Sequence, residues 1–253
     1  MMNKTKEILD DFHSSLGTDY NISITLLNAK DFGIPQNRER VFVIGSKVKG
    51  VSADKIIKDI ISLKTSIEPK FLKDALFGLP KLQPKEQKNK RGLENDKIGF
   101  KFRKNLHSNN EFINKINKNK KVFYLSNHIN RFNNKRDIEI FKRLPEGANS
   151  LHSSIKDIMP YSSRNHMFKD KYYKLIESEV SKTITSHMKL DCNMYIHPSQ
   201  ARGLSPREAS RIQTFPDDFI FMGANNNWYA QIGNAVPIIL AEIIGNQLIK
   251  HLK

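Results

Sequence analysis

Cysteine is almost absent from this sequence of 253 residues, which contains Cys192 alone. One cysteine cannot form a disulfide within the chain or build a cysteine-ligated cluster, so we predict no metal site and a reducing, cytoplasmic location. No run of residues approaches the roughly 20 consecutive apolar positions of a membrane span. The polar segment from Met1 to Asp10 is unlike a secretory signal. These absences predict a protein with no membrane partner.

Acidic residues are scarce relative to basic ones, and the net charge is +16. Much of this excess lies in residues 81–136, which hold 16 lysines and arginines against four acids. Phosphates are the natural counterpart of such a segment, because binding them releases condensed counterions. The same stretch is rich in asparagine, and a solvated lysine- and asparagine-rich surface is the alternative interpretation.

Two short β-prone segments near the N-terminus predict an antiparallel pair of strands. Ile22 to Leu27 alternates in part, and Arg40 to Gly45 is apolar enough to be buried on both faces. The polar loop from Asp31 to Arg40 joins them, and a short helix over Ile8 to Leu16 precedes them. Two strands cannot bury such surfaces alone, so we expect them at the edge of a larger sheet.

The rest of the chain is predicted to contain an irregular middle and a helical end. In the middle, a helix is expected from Asp137 to Leu144. Near the end, Ser205 can cap a helix, Pro206 fits its first position, and Glu208 completes a capping box. The last helix carries an apolar stripe from Val236 to Leu252, and we expect it to be well buried.

The loop sequence from Pro35 to Arg40 places two arginines two residues apart. On an extended loop Arg38 and Arg40 would point the same way, and each offers a planar fork of donors suited to a phosphate or a base edge. The alternative is a solvated loop whose arginines pair with Asp31 or Glu39.

A glycine-containing segment, Gln231 to Pro237, stands before the last helix. Gly233 would let the backbone approach a ligand closely, Asn234 can cap the helix, and the free amides would attract a carboxylate or phosphate. Many helices begin in this way with nothing bound, and that is the alternative here.

Taken together, these segments resemble three ordered motifs of the DNA cytosine-5 methyltransferases. LNAKDFGIPQNRERVF (residues 27–42) is similar to motif eight, RGLSPREASRIQTFPDD (residues 202–218) to motif nine, and YAQIGNAVP (residues 229–237) to motif ten. The family keeps its variable target-recognition domain between motifs eight and nine. KTITS (residues 182–186) resembles a short element of that domain.

The resemblance implies an α/β fold class. We expect the edge strands and C-terminal helix of a Rossmann-like methyltransferase domain, together with a small irregular α+β target-recognition domain. Residues 1–46 would be the strands that carry motif eight, residues 47–200 the recognition domain, and residues 201–253 motifs nine and ten. Arg207 and Glu208 of motif nine would hold the recognition domain in place.

The resemblance also implies roles in binding double-stranded DNA and a cofactor. The target cytosine must leave the base stack before its ring can react. Arg40 would contact it, with Gln36 and Arg38 as supports. The expected cofactor is S-adenosylmethionine, and one wall of its site would be formed by Asn234, Ala235 and Val236. The residues expected at the DNA are Thr183, on a phosphate, and the candidates Arg131 and Arg164.

The sequence departs from the family's pattern at the nucleophile. The family uses the cysteine of a Pro-Cys dipeptide, whereas Cys192 lies in Asp-Cys-Asn and after motif eight, which favours a structural or surface thiol. The glycine-rich cofactor loop and the Glu-Asn-Val element are also absent. We therefore expect a second polypeptide that carries these parts, as in enzymes of the family that are split into two subunits. A cognate restriction endonuclease would be a further partner by family association.

Three other interpretations stay open. The first is a non-catalytic DNA-binding remnant, although such a protein has no use for intact segments at Arg38 to Arg40 and Gln231 to Pro237. The second is a basic RNA-associated or scaffold protein in which the motifs are a coincidence. The third is methylation of tRNA, against which the long middle segment argues because it has the size of a sequence-reading domain.

Overall fold

The computed structural model describes residues 10–12, 14–15, 17, 19–86, 101–102, 109–160 and 171–252. Of the helix expected over Ile8 to Leu16, residues 10–12 and 14–15 are described and are helical, and the others lie outside the described residues, as Arg164 does. The strands and helices in chain order are β1 Asn21–Asn28, β2 Glu39–Ser46, α1 Ala53–Ser62, α2 Leu72–Leu76, β3 Lys101–Phe102, α3 Glu111–Ile116, β4 Tyr124–Leu125, α4 Lys135–Arg143, α5 Pro206–Ile212, α6 Asn225–Asn234 and α7 Ile238–Leu252.

The antiparallel strand pair predicted near the N-terminus is confirmed. β1 and β2 pair over their whole length, from Asn21 opposite Ser46 to Asn28 opposite Glu39. Because side chains alternate between faces along a strand, Leu27 and Ile44 share one face, and both are buried in the main core.

The other face of this hairpin is apolar and open. The register places Leu26 opposite Val41 and Ile24 opposite Val43. Leu26 is 49% exposed and Val41 58% exposed. The expectation that the second strand is buried on both faces is therefore wrong for this chain by itself, because nothing in its described part covers the outer face of the hairpin.

Helix α1 covers the inner face of the hairpin. Its first turn is capped by Ser52, whose side chain accepts a hydrogen bond from the Lys55 N–H. Ile56, Ile57 and Ile60 are buried in the main core. Helix α1 falls within residues 47–200, so part of the span assigned to the recognition domain packs on the hairpin. The domain boundaries themselves stay a prediction.

A second, smaller core lies in the middle of the chain and surrounds α4. This helix confirms the one expected from Asp137 to Leu144. Asn134 caps it by accepting from the Asp137 N–H. The buried apolar residues of this core are Ile140, Phe141, Leu144, Ile155, Met159, Tyr172 and Ile196.

The capping box predicted for α5 is confirmed. Ser205 accepts a hydrogen bond from the Glu208 N–H, and the Glu208 carboxylate accepts one from the Ser205 N–H at 2.7 Å. Glu208 also forms a two-pronged ion pair with Arg202, at 2.7 and 2.6 Å. Arg207 reaches into the middle segment, where its guanidinium donates to the carbonyl and hydroxyl oxygens of Ser126. These contacts are those of a helix that holds the middle segment in place.

Helix α7 is less buried than its sequence predicts. Ile239 and Leu240 are buried, whereas Ile249 and Leu252 are 53% and 61% exposed, and Val236, which precedes the helix, is 46% exposed. The expectation of a well-buried last helix is therefore wrong for this chain by itself, because α1 covers one side of the apolar stripe and leaves another side open.

Helices α6 and α7 together give a helical stretch, Asn225–Leu252, that is long and apolar enough to cross a membrane by length and composition. This qualifies the expectation that no such stretch exists. Near its end, the stretch is tied to α1 by a contact of 2.9 Å between His251 Nε2 and the Asp59 carboxylate. That tie and the packing of α7 on α1 are typical of a core helix that has part of its cover in place.

Candidate DNA and cofactor site

The loop that carries the two arginines is fixed by backbone pairing with a distant segment. The Ser181 N–H donates to the Pro35 carbonyl at 2.9 Å, and the Asn37 N–H donates to the Ser181 carbonyl at 2.8 Å. We call Pro35–Arg40 the arginine loop and Ser181–Ser186 the threonine loop. The pairing places these loops side by side.

Arg38 is a buried tie between three segments. Its Nη1 donates to the Ile184 carbonyl at 2.7 Å, and its Nη2 donates to the carbonyls of Gly233 and Ala235 at 3.3 and 3.2 Å. Burial, helped by the nearby charge of Arg40, lowers its pKa to about 10, so the guanidinium stays charged at neutral pH. Arg38 therefore connects the arginine loop, the threonine loop and the end of α6.

Gln36 supports the same junction. Its carbonyl oxygen accepts from the Ile184 N–H at 2.7 Å, and its amide nitrogen donates to the Gln213 side chain at 3.0 Å. Gln36 is fully buried. The supporting roles expected for Gln36 and Arg38 are thus compatible with their positions, and neither side chain lies on the surface.

Arg40 and Thr183 project from this buried junction to the surface. Arg40 is exposed, and its Nη1 donates to the Glu39 carbonyl at 2.6 Å. The Thr183 hydroxyl donates to the Asn37 carbonyl at 2.6 Å, and Tyr195 donates to the Thr183 carbonyl at 2.7 Å. The two sequence-predicted DNA contacts therefore lie on neighbouring loops.

The segment before α7 differs from its sequence interpretation. Gly233 lies in the last turn of α6, and Asn234 ends that helix instead of capping α7. The first amides of α7 are also engaged, since the Ile238 N–H donates to the Gln213 carbonyl at 3.2 Å and the Ile239 N–H to the Thr214 hydroxyl at 3.0 Å. They are not free to hold a carboxylate or phosphate.

We call Asn234–Pro237 the C-terminal turn. Asn234 and Val236 are exposed and Ala235 is half-buried, while the Ala235 carbonyl accepts from Arg38. The backbone of the turn is thus held inward, the side chains of Asn234 and Val236 face outward, and Pro237 is buried. Such a rigid, partly apolar surface fits one wall of a small-molecule site, whose other walls would be formed by residues outside this turn.

Arg131 is engaged within the protein. Its guanidinium donates to the carbonyls of Met188 and Leu190 at 2.6 and 2.9 Å and lies over the ring of Tyr229. This arrangement holds the segment that follows the threonine loop. Contact of Arg131 with DNA stays a prediction, as does that of Arg164.

Cys192 is a buried structural thiol. Burial raises its pKa to about 11, so it is protonated at neutral pH and cannot act as a thiolate nucleophile. It packs so closely on Gly203 that a β-carbon added there would lie 2.4 Å from its own.

We expect Cys192→Ser to leave the methyl transfer that the sequence resemblance implies within about twofold of wild type, because a buried, protonated thiol cannot act as the nucleophile. Burying a hydroxyl in place of the thiol should cost roughly 1–3 kcal/mol of stability. Initial rates and thermal unfolding of the same preparation would separate the two effects. A folded variant without activity would show that Cys192 takes part in the reaction.

Two residues of this junction escaped the sequence analysis. Gln213 lies inside the segment that resembles motif nine, so the resemblance included its position but assigned it no role. Tyr195 carried no signal, because a lone tyrosine in an irregular stretch has no pattern that points to the loop it supports.

Comparisons with known proteins are consistent with this geometry. A sequence model described as C-5 cytosine-specific DNA methylase matches residues 1–250. An Oceanobacillus iheyensis protein named as a type II methyltransferase, M.OihORF3336P, is 30% identical over 92% of this chain and 62% of its own length. The type II methyltransferase M.DdeI of Desulfomicrobium norvegicum is 27% identical over 96% of this chain and 57% of its own length.

A solved structure shares the fold. A prophage-encoded DNA modification methyltransferase from E. coli superimposes with a TM-score of 0.70 at 25% identity, covering 98% of this chain and 66% of that one. The α/β methyltransferase fold class predicted from the sequence is thereby confirmed. The chain spans between 51% and 62% of the length of the first three curated relatives.

Proposed function

The chain belongs to the C-5 cytosine-specific DNA methylase family, and from that premise we propose that it is the DNA-recognition and cofactor-completing subunit of a DNA cytosine-5 methyltransferase. The assembled enzyme transfers a methyl group from S-adenosylmethionine to a cytosine in a specific sequence of double-stranded DNA. The type II names of the relatives favour a place in a restriction-modification system, beside a cognate endonuclease. A cytoplasmic location is proposed from the single cysteine, which fits a reducing compartment.

The observation that carries this proposal is the convergence of three distant segments on one junction. Arg38 joins the arginine loop to Ile184 and Ala235 through its guanidinium. The exposed Arg40 and the half-buried Thr183 therefore stand at fixed positions relative to the C-terminal turn. A base-contacting group, a phosphate-contacting group and a cofactor wall need such fixed relative positions, because methyl transfer requires the reacting atoms to be held in line.

The residues present fit part of the expected chemistry. Arg40, with an accessible fork of donors, would contact the flipped-out cytosine, and Thr183 would contact the adjoining phosphate. Asn234, Ala235 and Val236 would hold S-adenosylmethionine, which supplies the electrophilic methyl group. Arg38 and Gln36 keep these contact residues in place from beneath.

The nucleophile has to come from a different polypeptide segment. Attack of a thiolate on carbon 6 of cytosine activates carbon 5 toward the methyl group, and the one cysteine of this sequence is a buried thiol with a raised pKa. We propose a second chain that carries the Pro-Cys dipeptide and the glycine-rich cofactor loop. This subunit would then be inactive alone.

The open apolar faces support a partner of this kind. The outer face of the hairpin exposes Leu26, Val41 and Val43, and α7 exposes Ile249 and Leu252. A parallel methyltransferase sheet with flanking helices would continue the hairpin and cover α7, as apolar strand faces require. This chain spans 51–62% of the length of these relatives. The remaining 38–49% is enough to form that sheet and its flanking helices.

The test is methyl transfer from labelled S-adenosylmethionine to mixed-sequence DNA. The reaction is run with this chain alone, with the product of the adjacent upstream gene alone, and with both. We expect activity in the mixture and in neither single component.

Each other outcome contradicts a part of the proposal. Activity of this chain alone would overturn the need for a second nucleophile-bearing chain. Absence of activity from the mixture, with DNA binding retained, would favour the non-catalytic DNA-binding protein.

A further inference from the structure

A chain of buried side-chain amides runs between the threonine loop and the C-terminal turn. The Ile184 N–H donates to Gln36 at 2.7 Å, Gln36 donates to Gln213 at 3.0 Å, and Gln213 donates to the Ile232 carbonyl at 2.9 Å. Both glutamines are fully buried. We call this chain of three hydrogen bonds the glutamine relay.

The relay can run in one direction only. At one end the Ile184 N–H can only donate, and at the other end the Ile232 carbonyl can only accept. Each glutamine amide offers one acceptor oxygen and a donor nitrogen, so these two ends fix the orientation of both side chains. Each buried group is then satisfied, and a change at either glutamine leaves a donor or acceptor without its partner.

Gln213 holds both sides of the C-terminal turn. Its side chain donates to the Ile232 carbonyl in the last turn of α6, and its backbone carbonyl accepts from the Ile238 N–H, the first residue of α7. The next residue, Thr214, has a φ of +59°, which is rare for a β-branched residue. Its hydroxyl accepts from Ile239. The spacing between α6 and α7 is therefore set from Gln213 and Thr214.

We propose that Gln213 is a positioning residue that couples DNA binding to cofactor binding through the glutamine relay. A DNA phosphate that contacts Thr183 further restricts the threonine loop, the relay transmits that restriction to the last turn of α6, and the cofactor then meets a turn already in its bound geometry. Coupling of this kind is reciprocal, so the cofactor strengthens DNA binding by the same factor. The inference rests on the proposed methyltransferase function.

The experiment measures the affinity of the assembled two-chain enzyme for S-adenosylhomocysteine by calorimetry, with and without a DNA fragment that the wild-type enzyme methylates. Gln213→Met keeps the length of the side chain and removes its donor and acceptor. We expect the wild type to show DNA-dependent tightening within the roughly 5- to 150-fold range of allosteric coupling, and the variant to show less than about twofold.

Three further variants make the result specific. Gln36→Met breaks the relay on the side of the threonine loop, so it should lose the coupling even where Gln213→Met fails to fold. The variant that combines Gln36→Met with Gln213→Met should lose no more coupling than either single variant, because each of these substitutions interrupts the same glutamine relay. Gln83→Met, at an exposed glutamine, should keep the coupling of the wild type.

The outcomes separate the inference from the function on which it rests. An active wild type whose DNA-dependent tightening survives in both Gln213→Met and Gln36→Met would overturn the relay and leave the methyltransferase proposal standing. An active wild type without any tightening would also overturn it. A wild-type mixture that methylates no DNA would overturn the proposed function itself and the relay with it.

Discussion

Replacing Arg40 by alanine should lower methyl transfer by the assembled enzyme by about 10²–10³-fold, the usual effect of removing one preorganised donor from a reacting group. Arg40 is exposed, and its one hydrogen bond recorded in the described part of the chain goes to the adjacent Glu39 carbonyl. Truncation therefore leaves no buried group without a partner. We expect thermal unfolding and binding of the second chain to stay at wild-type values, so that the loss appears in turnover alone.

Lys47→Ala is the matched control for Arg40→Ala. Lys47 follows the other end of β2 and pairs with Asp19 at the surface, at 3.5 Å. The Lys47→Ala substitution removes one exposed positive charge beside the same hairpin, so it should reproduce any effect of net charge on DNA binding. Rates are measured under single-turnover conditions with saturating DNA. Normal turnover by Arg40→Ala, or equal losses in both variants, would remove Arg40 from the site.

Arg38 and Arg40 belong to one motif, and the structure places one in the interior and the other on the surface. The Arg38 Nη1 and Nη2 donate to carbonyls that lie between 146 and 197 residues away in sequence. A hexapeptide with two arginines cannot reveal which of them will find such partners, and the sequence interpretation expected both to point the same way from an extended loop. The fold separates them by burying Arg38 and exposing Arg40.

Local signals in the sequence were reliable where one segment contains the whole interaction. The capping box of Ser205 and Glu208 spans four residues, and the structure contains both of its hydrogen bonds. The partial alternation of β1 and the apolar run of β2 likewise predicted the hairpin. The burial of α7 was not predictable in the same way, because an apolar stripe indicates that a helix needs cover and does not indicate which chain provides it.

Gly233→Ala should destabilise the full chain by about 3 kcal/mol, at the upper end of the usual penalty for overpacking. A β-carbon at this position would lie 2.1 Å from the Ser186 backbone nitrogen and 2.1 Å from the Thr185 carbonyl carbon. Both obstacles are backbone atoms of the threonine loop, so no side-chain rotation can relieve the clash. Thermal unfolding should begin lower, with a fall in Tm of roughly 6–12 °C for a chain of this size.

The direction of the change in stability shows why a glycine is required at position 233. Gly233 has no positive φ and lies within α6, so by helix propensity alone alanine should stabilise the protein by about 1 kcal/mol. Gly245→Ala provides that comparison, because a β-carbon there meets no atom within 4 Å in the same C-terminal region. A rise in Tm for Gly245→Ala with a fall for Gly233→Ala would show that Gly233 is required by the close approach of the threonine loop. Equal changes in Tm in the two variants would mean that the threonine loop does not pack closely on α6. That result would contradict the junction described as positioning Arg40 and Thr183.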